Sequence, residues 1–216
     1  MSQEALLFDL GILEYQKAYA LQKKLVEMVA DQKFPQTLLL LEHPPVYTMG
    51  KSGSEENLLK EIQVRKVDRG GDITYHGPGQ LVGYPILYLK NRKVSHYIRQ
   101  LEESLILLLK EYCVDSFIRE GYPGVWVGKE KIASLGVRIK KDVTYHGFAL
   151  NVTVDLEAFQ CIRACGLDVT MTSMQKVLKR KISIQKVKRD YVQCFEKCFR
   201  LKLEQKGADL LKVMKG

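Results

Sequence analysis

The chain has 216 residues, of which 46% are hydrophobic and 27% are charged. This composition is typical of a globular protein that buries a full core without disulfides or metals. Its longest apolar runs, such as TLLLL and LILLL, are far shorter than the roughly 18 residues of a membrane span, so we expect no membrane partner.

The chain shows no internal repeat, low-complexity tract or flexible linker, and we therefore expect one domain over residues 1–216. Acidic residues come early at the N-terminus, with no basic region followed by an apolar one. This order differs from that of a signal or transit peptide and favours a cytoplasmic location.

The first elements follow from the apolar spacing. Residues 13–31 place apolar side chains on one helical face and predict a helix. The run TLLLL and the following HPPVYT predict a strand, a turn and a second strand, because Pro44 and Pro45 cannot donate to a ladder. The alternating IQVRKVD predicts a further strand before a turn at Gly70 and Gly71.

The later elements suggest an α/β fold of the α+β type. QLVGYPILYLK predicts a buried strand, and residues 95–113 predict a helix with Ser95 as its N-cap. Residues 124–155 predict three short strands, with a hairpin at Gly128, and the pattern is helical from Ile184 onward. Strands without regular helix alternation indicate a mixed, largely antiparallel sheet flanked by helices.

The net charge of +9 lies entirely in the C-terminal segment, residues 174–216, which has 13 Lys and Arg but only 4 Asp and Glu. Such a basic segment could bind nucleic acid, an acidic membrane surface or an acidic protein, or it could be a solvated helical face. Its aromatic residues Tyr191, Phe195 and Phe199 follow the spacing of a core stripe. We therefore do not expect nucleic acid as a partner.

The five cysteines argue against a disulfide framework, because their number is odd and no export signal is apparent. Cys161 and Cys165 are four residues apart, as are Cys194 and Cys198. That spacing differs from the two-residue knuckle of common zinc sites, and YVQCFEKCFRL has the pattern of an amphipathic helix. We expect no metal site.

The segment RGGDITYHGPGQ is rich in glycine. Gly70, Gly71, Gly77 and Gly79 allow a ligand to approach the backbone without meeting a Cβ. The segment matches neither a P-loop nor a GxGxxG fingerprint, so it gives no support for nucleotide binding. His76, which we place in a loop here, is a candidate functional residue.

Two further residues, Lys131 and Cys165, can each be interpreted in two ways from the sequence. Lys131, in EKIASLGVRI, is either a strand-edge ammonium facing water or a buried amine whose lowered pKa would suit a base. Cys165 precedes Gly166 in a predicted turn of CIRACGL, where the thiol is either an exposed nucleophile or a buried, inert side chain.

Five segments occur in the order seen in the lipoyl(octanoyl) transferases: LLLLEHPPVYTMG, RGGDITYHGPGQLVGYP, GVWVGKEKIASLGVRI, HGFALNV and CG. The chain closely resembles this family over residues 37–166, about 60% of its length. These enzymes move an octanoyl group from acyl carrier protein to a lipoyl domain. The resemblance implies the fold of the biotin and lipoate protein ligase catalytic domain.

The resemblance also implies site residues. Cys165 would be the nucleophile that takes the octanoyl group as a thioester, and Lys131 would activate it. The octanoyl-binding residues would be Arg69, Gly70, Gly71, Asp72, Ile73, Thr74, Tyr75, His76, Ser134, Leu135, Gly136, Gly147, Phe148 and Ala149.

One position departs from the family pattern. Ala164 stands where the family usually has a proline before the nucleophile. Alanine frees the backbone φ angle but removes no reacting group. The nearby Cys161 is the rival nucleophile.

The implied partners are octanoyl-acyl carrier protein as donor and, as acceptors, the lipoyl domains of 2-oxoacid dehydrogenase E2 subunits and of the glycine cleavage H protein. This reaction is the first step of endogenous lipoate biosynthesis. Exchange of a thioester for an amide runs downhill, so no ATP or other cofactor is expected. Because these partners are typically acidic, the basic segment is a predicted docking surface, including Lys179, Arg180, Lys181, Lys188 and Arg189.

An ATP-dependent lipoate or biotin protein ligase is the nearest alternative. It would share the fold and the lysine acceptor, but it would bind an acyl adenylate and generally needs no acyl-accepting cysteine. The segments YHGPGQ and CG favour the transferase.

Overall fold

The structure is a computed structural model that describes residues 3–89, 94–163, 169–207 and 210. Its strands are Gln3–Ile12 (β1), Thr37–Glu42 (β2), Val46–Met49 (β3), Val64–Lys66 (β4), Ile73–His76 (β5), Gln80–Ile86 (β6), Phe117–Arg119 (β7), Tyr122–Val127 (β8), Glu130–Lys140 (β9), Val143–Asn151 (β10) and Leu201–Lys206 (β11). Its α-helices are Tyr15–Ala30 (α1), Val94–Glu111 (α2), Met174–Leu178 (α3) and Ile184–Phe199 (α4).

The larger sheet has eight strands in the order β11-β1-β2-β6-β10-β9-β8-β7. Strand β1 pairs in parallel with β11 and β2, and the other neighbours are antiparallel. The predicted mixed, largely antiparallel sheet flanked by helices is therefore confirmed.

The two faces of this sheet carry different helices. Leu39 and Leu41 of β2 pack in one apolar cluster with α1, whereas Leu38 and Leu40 pack in a second cluster with α2 and α4. A strand that is buried on both faces needs apolar side chains at every position, which explains the run TLLLL. Among the described residues, no helix combines the length and apolarity needed to cross a bilayer.

The C-terminal segment departs from the helical prediction. Helix α4 ends at Phe199, Arg200 adopts a left-handed φ of 53°, and the chain continues as β11 along β1. The predicted aromatic core stripe is confirmed, because Tyr191 and Phe195 are fully buried. Lys188 is not on the surface: it is buried, with Nζ at 2.9 Å from Asp9 Oδ1.

A smaller sheet, in the order β4-β3-β5, lies beside the larger one. Its side chains form an apolar cluster with a 3-10 turn, Glu157–Cys161. Strand β4 covers only part of IQVRKVD, and β5 runs through the glycine-rich segment. The loop position predicted for His76 is therefore wrong, since this residue ends β5.

Two local predictions have different outcomes. Helix α2 begins at Val94, so Ser95 lies in its first turn and is not the N-cap. The hairpin at Gly128 is confirmed: Gly128 has a φ of +57°, and Val127 pairs with Glu130. Strand β9 has 11 residues and is longer than predicted, because its alternation continues to Lys140.

Candidate active site

A cavity opens between the smaller sheet and strands β6, β9 and β10, with about 470 Å³ of empty space including its mouth. Twelve of the fourteen predicted octanoyl-binding residues line it. They are Arg69, Gly71, Asp72, Ile73, Thr74, His76, Ser134, Leu135, Gly136, Gly147, Phe148 and Ala149. Gly70 and Tyr75 are not part of the lining.

The turn at Arg69 and Gly71 is held by close backbone packing. Gly71 has a φ of +81°, and a Cβ on Gly50 would lie 2.2 Å from the carbonyl oxygen of Gly71. On the other side, a Cβ on Gly136 would lie 3.0 Å from Arg69 Cδ. Arg69 Nη2 donates to the Thr48 carbonyl at 2.7 Å. The glycines in this region therefore allow two chain segments to touch, and this fixes the cavity wall.

Gly70 and Tyr75 support the wall from outside. Gly70 N donates to the Val137 carbonyl at 3.0 Å, which joins the turn to β9. Tyr75 packs edge-on against Phe159 in the cluster of the smaller sheet. Tyr75 therefore packs inside the smaller sheet's cluster, next to the cavity lining that includes His76.

His76 is buried and neutral. Its Nδ1 donates to Gln80 Oε1 at 2.7 Å, and its ring stacks on Tyr15 with centroids 6.0 Å apart. Burial, aided by His43, lowers the pKa of His76 to about 3. At neutral pH the imidazole is therefore a polar wall group and does not supply a proton.

Three further residues line the cavity and were not predicted: Tyr15, Tyr84 and His146. Tyr84 and His146 belong to the family-like segments QLVGYP and HGFALNV, which could have identified them. Tyr15 opens α1, outside those segments. Its hydroxyl is buried and has no hydrogen-bond partner within the part of the chain that the structure describes.

His146 is held in a strained backbone conformation with a φ of +55°. Its Nε2 donates to Asp68 Oδ1 at 3.0 Å, and its backbone N donates to Gln22 Oε1 at 2.7 Å. Burial lowers the pKa of His146, while hydrogen bonds from His146 and Tyr145 hold the pKa of the Asp68 carboxyl well below its usual range. These bonds orient a neutral imidazole at the cavity wall.

Lys131 lies on β9 with only 3% of its surface exposed, which excludes the water-facing alternative. Its Nζ lies 5.5 Å from the centroid of the Trp126 ring. A Cβ on Gly124 would lie 2.4 Å from Lys131 Cε, so this glycine makes room for the lysine. Lys131 does not itself line the cavity.

Cys165, together with Ala164 and Gly166, lies outside the described residues, but both flanks of its segment are described. On the N-terminal flank, Arg163 N donates to the Asn57 carbonyl at 2.8 Å. The side chain of Asn57 donates to Asp72 Oδ2 at 2.5 Å. This flank is therefore attached to the cavity wall.

The C-terminal flank is attached to Lys131. The backbone N of Lys131 donates to the Thr170 carbonyl at 2.9 Å, and Thr172 N donates to the Lys131 carbonyl at 2.9 Å. The amide of Asn151 donates to the Thr172 carbonyl and accepts from Gln80 Nε2, both at 2.9 Å. Because Gln80 also binds His76, buried polar contacts link the cavity wall to this flank.

The rival nucleophile Cys161 ends the 3-10 turn and packs against the cluster of the smaller sheet. It does not line the cavity. Cys194 is a core residue of α4, where burial raises the pKa of its thiol to about 12. Within the described ranges, no three His, Cys, Asp or Glu side chains are grouped so that they could hold a metal ion.

Comparison with known proteins identifies the fold and the family. A family model, the lipoyl protein ligase A/B catalytic domain, matches residues 14–196. The octanoyltransferase of Syntrophotalea carbinolica is 50% identical over 192 residues, covering 87% of this chain and 91% of that protein. The octanoyltransferase of Geotalea uraniireducens is 45% identical over 186 residues, covering 84% and 87%.

Among solved structures, a lipoate-protein ligase A bound with ATP superposes with a TM-score of 0.73 at 14% identity, covering 99% of this chain and 94% of that chain. The biotin protein ligase of Aquifex aeolicus superposes with a TM-score of 0.52 at 11% identity, covering 93% and 70%. The fold is thus that of the lipoate and biotin protein ligase catalytic domains, as predicted. At the level of sequence, the chain belongs to the lipoyl(octanoyl) transferase family, whose members are acyltransferases.

Proposed function

We propose that this enzyme transfers an octanoyl group from octanoyl-acyl carrier protein to a lysine of a lipoyl domain, through a thioester on Cys165. The observation that carries the proposal is the attachment of the Cys165 segment. One flank is hydrogen-bonded through Asn57 to the cavity wall at Asp72, and the other is hydrogen-bonded to Lys131. The two described flanks of the Cys165 segment, Lys131 and the cavity wall thus belong to one hydrogen-bonded region.

In the first half-reaction, the Cys165 thiolate attacks the carbonyl carbon of the carrier thioester. The new S–C bond forms, the old C–S bond breaks, and the departing phosphopantetheine thiolate takes a proton from the Lys131 ammonium. A free thiol is only slightly ionised at neutral pH, so a nearby cation favours the reactive thiolate.

In the second half-reaction, the neutral amine of the target lysine attacks the acyl-enzyme. Lys131, now an amine, takes the proton that the attacking nitrogen loses, and the Cys165 thiolate leaves. The products are an octanoyl amide and an enzyme in its starting protonation state. An amide is more stable than a thioester, so the cycle needs no ATP.

The cavity suits an apolar chain. Ile73, Leu135, Phe148 and Ala149 are among its lining residues. Each buried methylene contributes about 0.8 kcal/mol to binding, so the affinity of such a cavity changes gradually with the length of the acyl chain. The two histidines of the wall, His76 and His146, are neutral and hydrogen-bonded, so they add little cost to binding an alkyl chain.

We base the proposed location, pathway step and acceptors on the family. Residues 1–216 act as one catalytic domain in the cytoplasm, at the first step of lipoate assembly. The acceptors are lipoyl domains of 2-oxoacid dehydrogenase E2 subunits and of the glycine cleavage H protein. An ATP-dependent ligase activity is the second candidate, because the structural neighbours include ligases; the curated relatives named octanoyltransferase favour the transferase.

Intact mass spectrometry after incubation with octanoyl-acyl carrier protein, without ATP, tests the proposal. We expect a mass gain of one octanoyl group on the wild type and none on Cys165→Ala. Cys161→Ala is the matched control and should acylate like the wild type. Acylation of Cys165→Ala, or acylation only with free octanoate and ATP, would contradict the proposal.

A further inference from the structure

Tyr15 lies between the cavity and a depression on the surface beside the start of α1, which we call the α1 depression. The α1 depression has about 520 Å³ of empty space including its mouth, and the exposed Glu14, Gln16 and Arg65 are among its lining residues. Among the residues that the structure describes, Tyr15 is the one that lines both spaces. Tyr15 therefore separates the cavity from the surface at this point.

The ring of Tyr15 is held in place by packing. Its centroid lies 5.1 Å from that of His43 and 6.0 Å from that of His76, which lines the cavity. Only 5% of the surface of Tyr15 is exposed, and within the described part of the chain its hydroxyl has no hydrogen-bond partner. What Tyr15 supplies to its surroundings there is the volume of an aromatic ring.

Lys131 marks the reacting end of the cavity in the proposed function. A Cβ on Gly124 would lie 2.4 Å from Lys131 Cε, so the lysine side chain lies along Gly124 of β8. Gly124 pairs with Ser134 of β9, and Ser134 lines the cavity. The proposed function therefore requires the carbonyl carbon of the acyl group to lie on the β9 side.

Tyr15 lies on the opposite side of the cavity. Tyr84 of β6 is a lining residue, and its hydroxyl donates at 2.7 Å to Nε2 of His43, the ring that packs on Tyr15. Strand β10 alone separates β6 from β9, and neighbouring strands lie about 4.8 Å apart, so the two sides are about 10 Å apart. An octanoyl chain with C–C bonds of about 1.5 Å is about 9 Å long when extended. Its methyl end would therefore reach the Tyr15 ring.

We propose that Tyr15 is a specificity-determining residue, the end wall that limits the length of the acyl chain. This inference rests on the proposed function, which sets the direction of the chain in the cavity. Burial of methylenes by itself favours ever longer chains, so an upper limit on length requires a barrier at the methyl end. Without the Tyr15 ring, the cavity would continue into the α1 depression and could bury further methylenes.

Tyr15→Ala tests this inference. The probes are octanoyl-pantetheine and decanoyl-pantetheine amides, in which an amide replaces the thioester, and calorimetry gives the Kd of each. The wild type should bind the decanoyl amide no more tightly than the octanoyl amide. Tyr15→Ala should shift the ratio of the two Kd values about tenfold in favour of the decanoyl amide, because each methylene that becomes buried increases affinity about fourfold.

Gln16→Ala is the matched control, because Gln16 lines the α1 depression but not the cavity. It should keep the wild-type ratio. Tyr15→Leu covers the case in which Tyr15→Ala does not fold: it shortens the side chain but keeps it apolar, and it should shift the ratio about fourfold, the effect of one methylene.

The wild-type ratio in the Tyr15 variants, or no binding of either amide to the wild type, would overturn the inference. Because the amides contain no thioester, the ratio is measured without acyl transfer. A shifted ratio in an enzyme that forms no acyl-enzyme would support the end wall while the proposed function fails. An unchanged ratio in an enzyme that does form one would contradict the end wall alone.

Discussion

Asn57 donates a hydrogen bond from its side chain to Asp72 at 2.5 Å, and this bond joins the segment that leads to Cys165 to the cavity wall. Asn57 ends a 3-10 turn, Glu55–Asn57, while Asp72 precedes β5 and also accepts from Ile73 N at 2.7 Å. The carboxylate thus connects two backbone segments that are distant in sequence. Its geometry sets where residue 163, the last described residue before Cys165, lies relative to the cavity wall.

Asn57→Ala should slow acyl-enzyme formation about tenfold or more, because a hydrogen bond to a charged group contributes about 1.5–3 kcal/mol and each 1.4 kcal/mol is tenfold in rate. The backbone bond between Asn57 and Arg163 does not depend on the side chain, so the variant should still fold. Single-turnover release of the carrier thiol measures the rate. Glu56→Ala, on the same turn, is the control, and equal rates for both variants would exclude a role for the Asn57 side chain.

Gly50→Ala should destabilise the cavity wall. Its Cβ would lie 2.2 Å from a backbone oxygen, that of Gly71, which cannot move without shifting the turn at Arg69. We expect the free energy of unfolding to fall by about 2 kcal/mol or more, as in overpacked cores. Gly207→Ala meets nothing within 4 Å and should change it by less than about 0.5 kcal/mol. Urea unfolding measures both, and equal values would contradict the packing argument.

The sequence predicted correctly those elements that depend only on residues close together in the chain. The buried run of β2 and the hairpin at Gly128 are two examples. The pairing of β1 with β11 left no such signal, because it joins Gln3 to Leu201 and the two strands are separated by most of the chain. Neither strand's sequence alone indicates which other strand it pairs with, so this pairing is visible only in the folded structure.

At the site, too, the residues that distant parts of the chain bring together were the ones that the sequence did not predict. The family-like segments identified twelve of the fifteen residues that line the cavity, and six of these twelve belong to the glycine-rich segment. Tyr15 was missed, since α1 brings it to the cavity from outside the family-like segments. The burial of Lys131 was undecidable from β9 alone, because it depends on the room that Gly124 leaves beside the lysine on the neighbouring strand.

The free energy of unfolding should decrease as the pH is lowered from about 7.5 to about 5.5, because of the buried histidines. Burial lowers the pKa of His76 from 6.5 to about 3 and that of His43 to about 4. Between the folded and unfolded pKa values, only the unfolded chain binds the proton, so the free energy of unfolding decreases as pH falls through 6.5. Carboxylates titrate mainly below this window, since their unfolded pKa values lie near 4.

Over this window the free energy of unfolding of His76→Gln should therefore decrease by about 1.4 kcal/mol less than that of the wild type. This is the contribution of one histidine that is protonated across the window only in the unfolded chain. Chemical unfolding at the two pH values measures the difference. His96→Gln, at an exposed histidine of α2, is the matched control and should lose as much as the wild type. An equal loss in both variants would show that His76 takes up a proton in the folded enzyme.

Three consecutive basic residues between α3 and α4 should attract the acidic donor. Lys179, Arg180 and Lys181 are exposed and line one groove. Changing all three to Glu should raise KM for octanoyl-acyl carrier protein about tenfold at low salt, and the difference should shrink as salt shortens the Debye length. A triple variant with the same charge change outside the basic segment should not have this effect; it reverses the exposed Lys17, Lys23 and Lys33. If both variants raise KM equally, net charge alone attracts the carrier, and if neither does, the groove is only a solvated face.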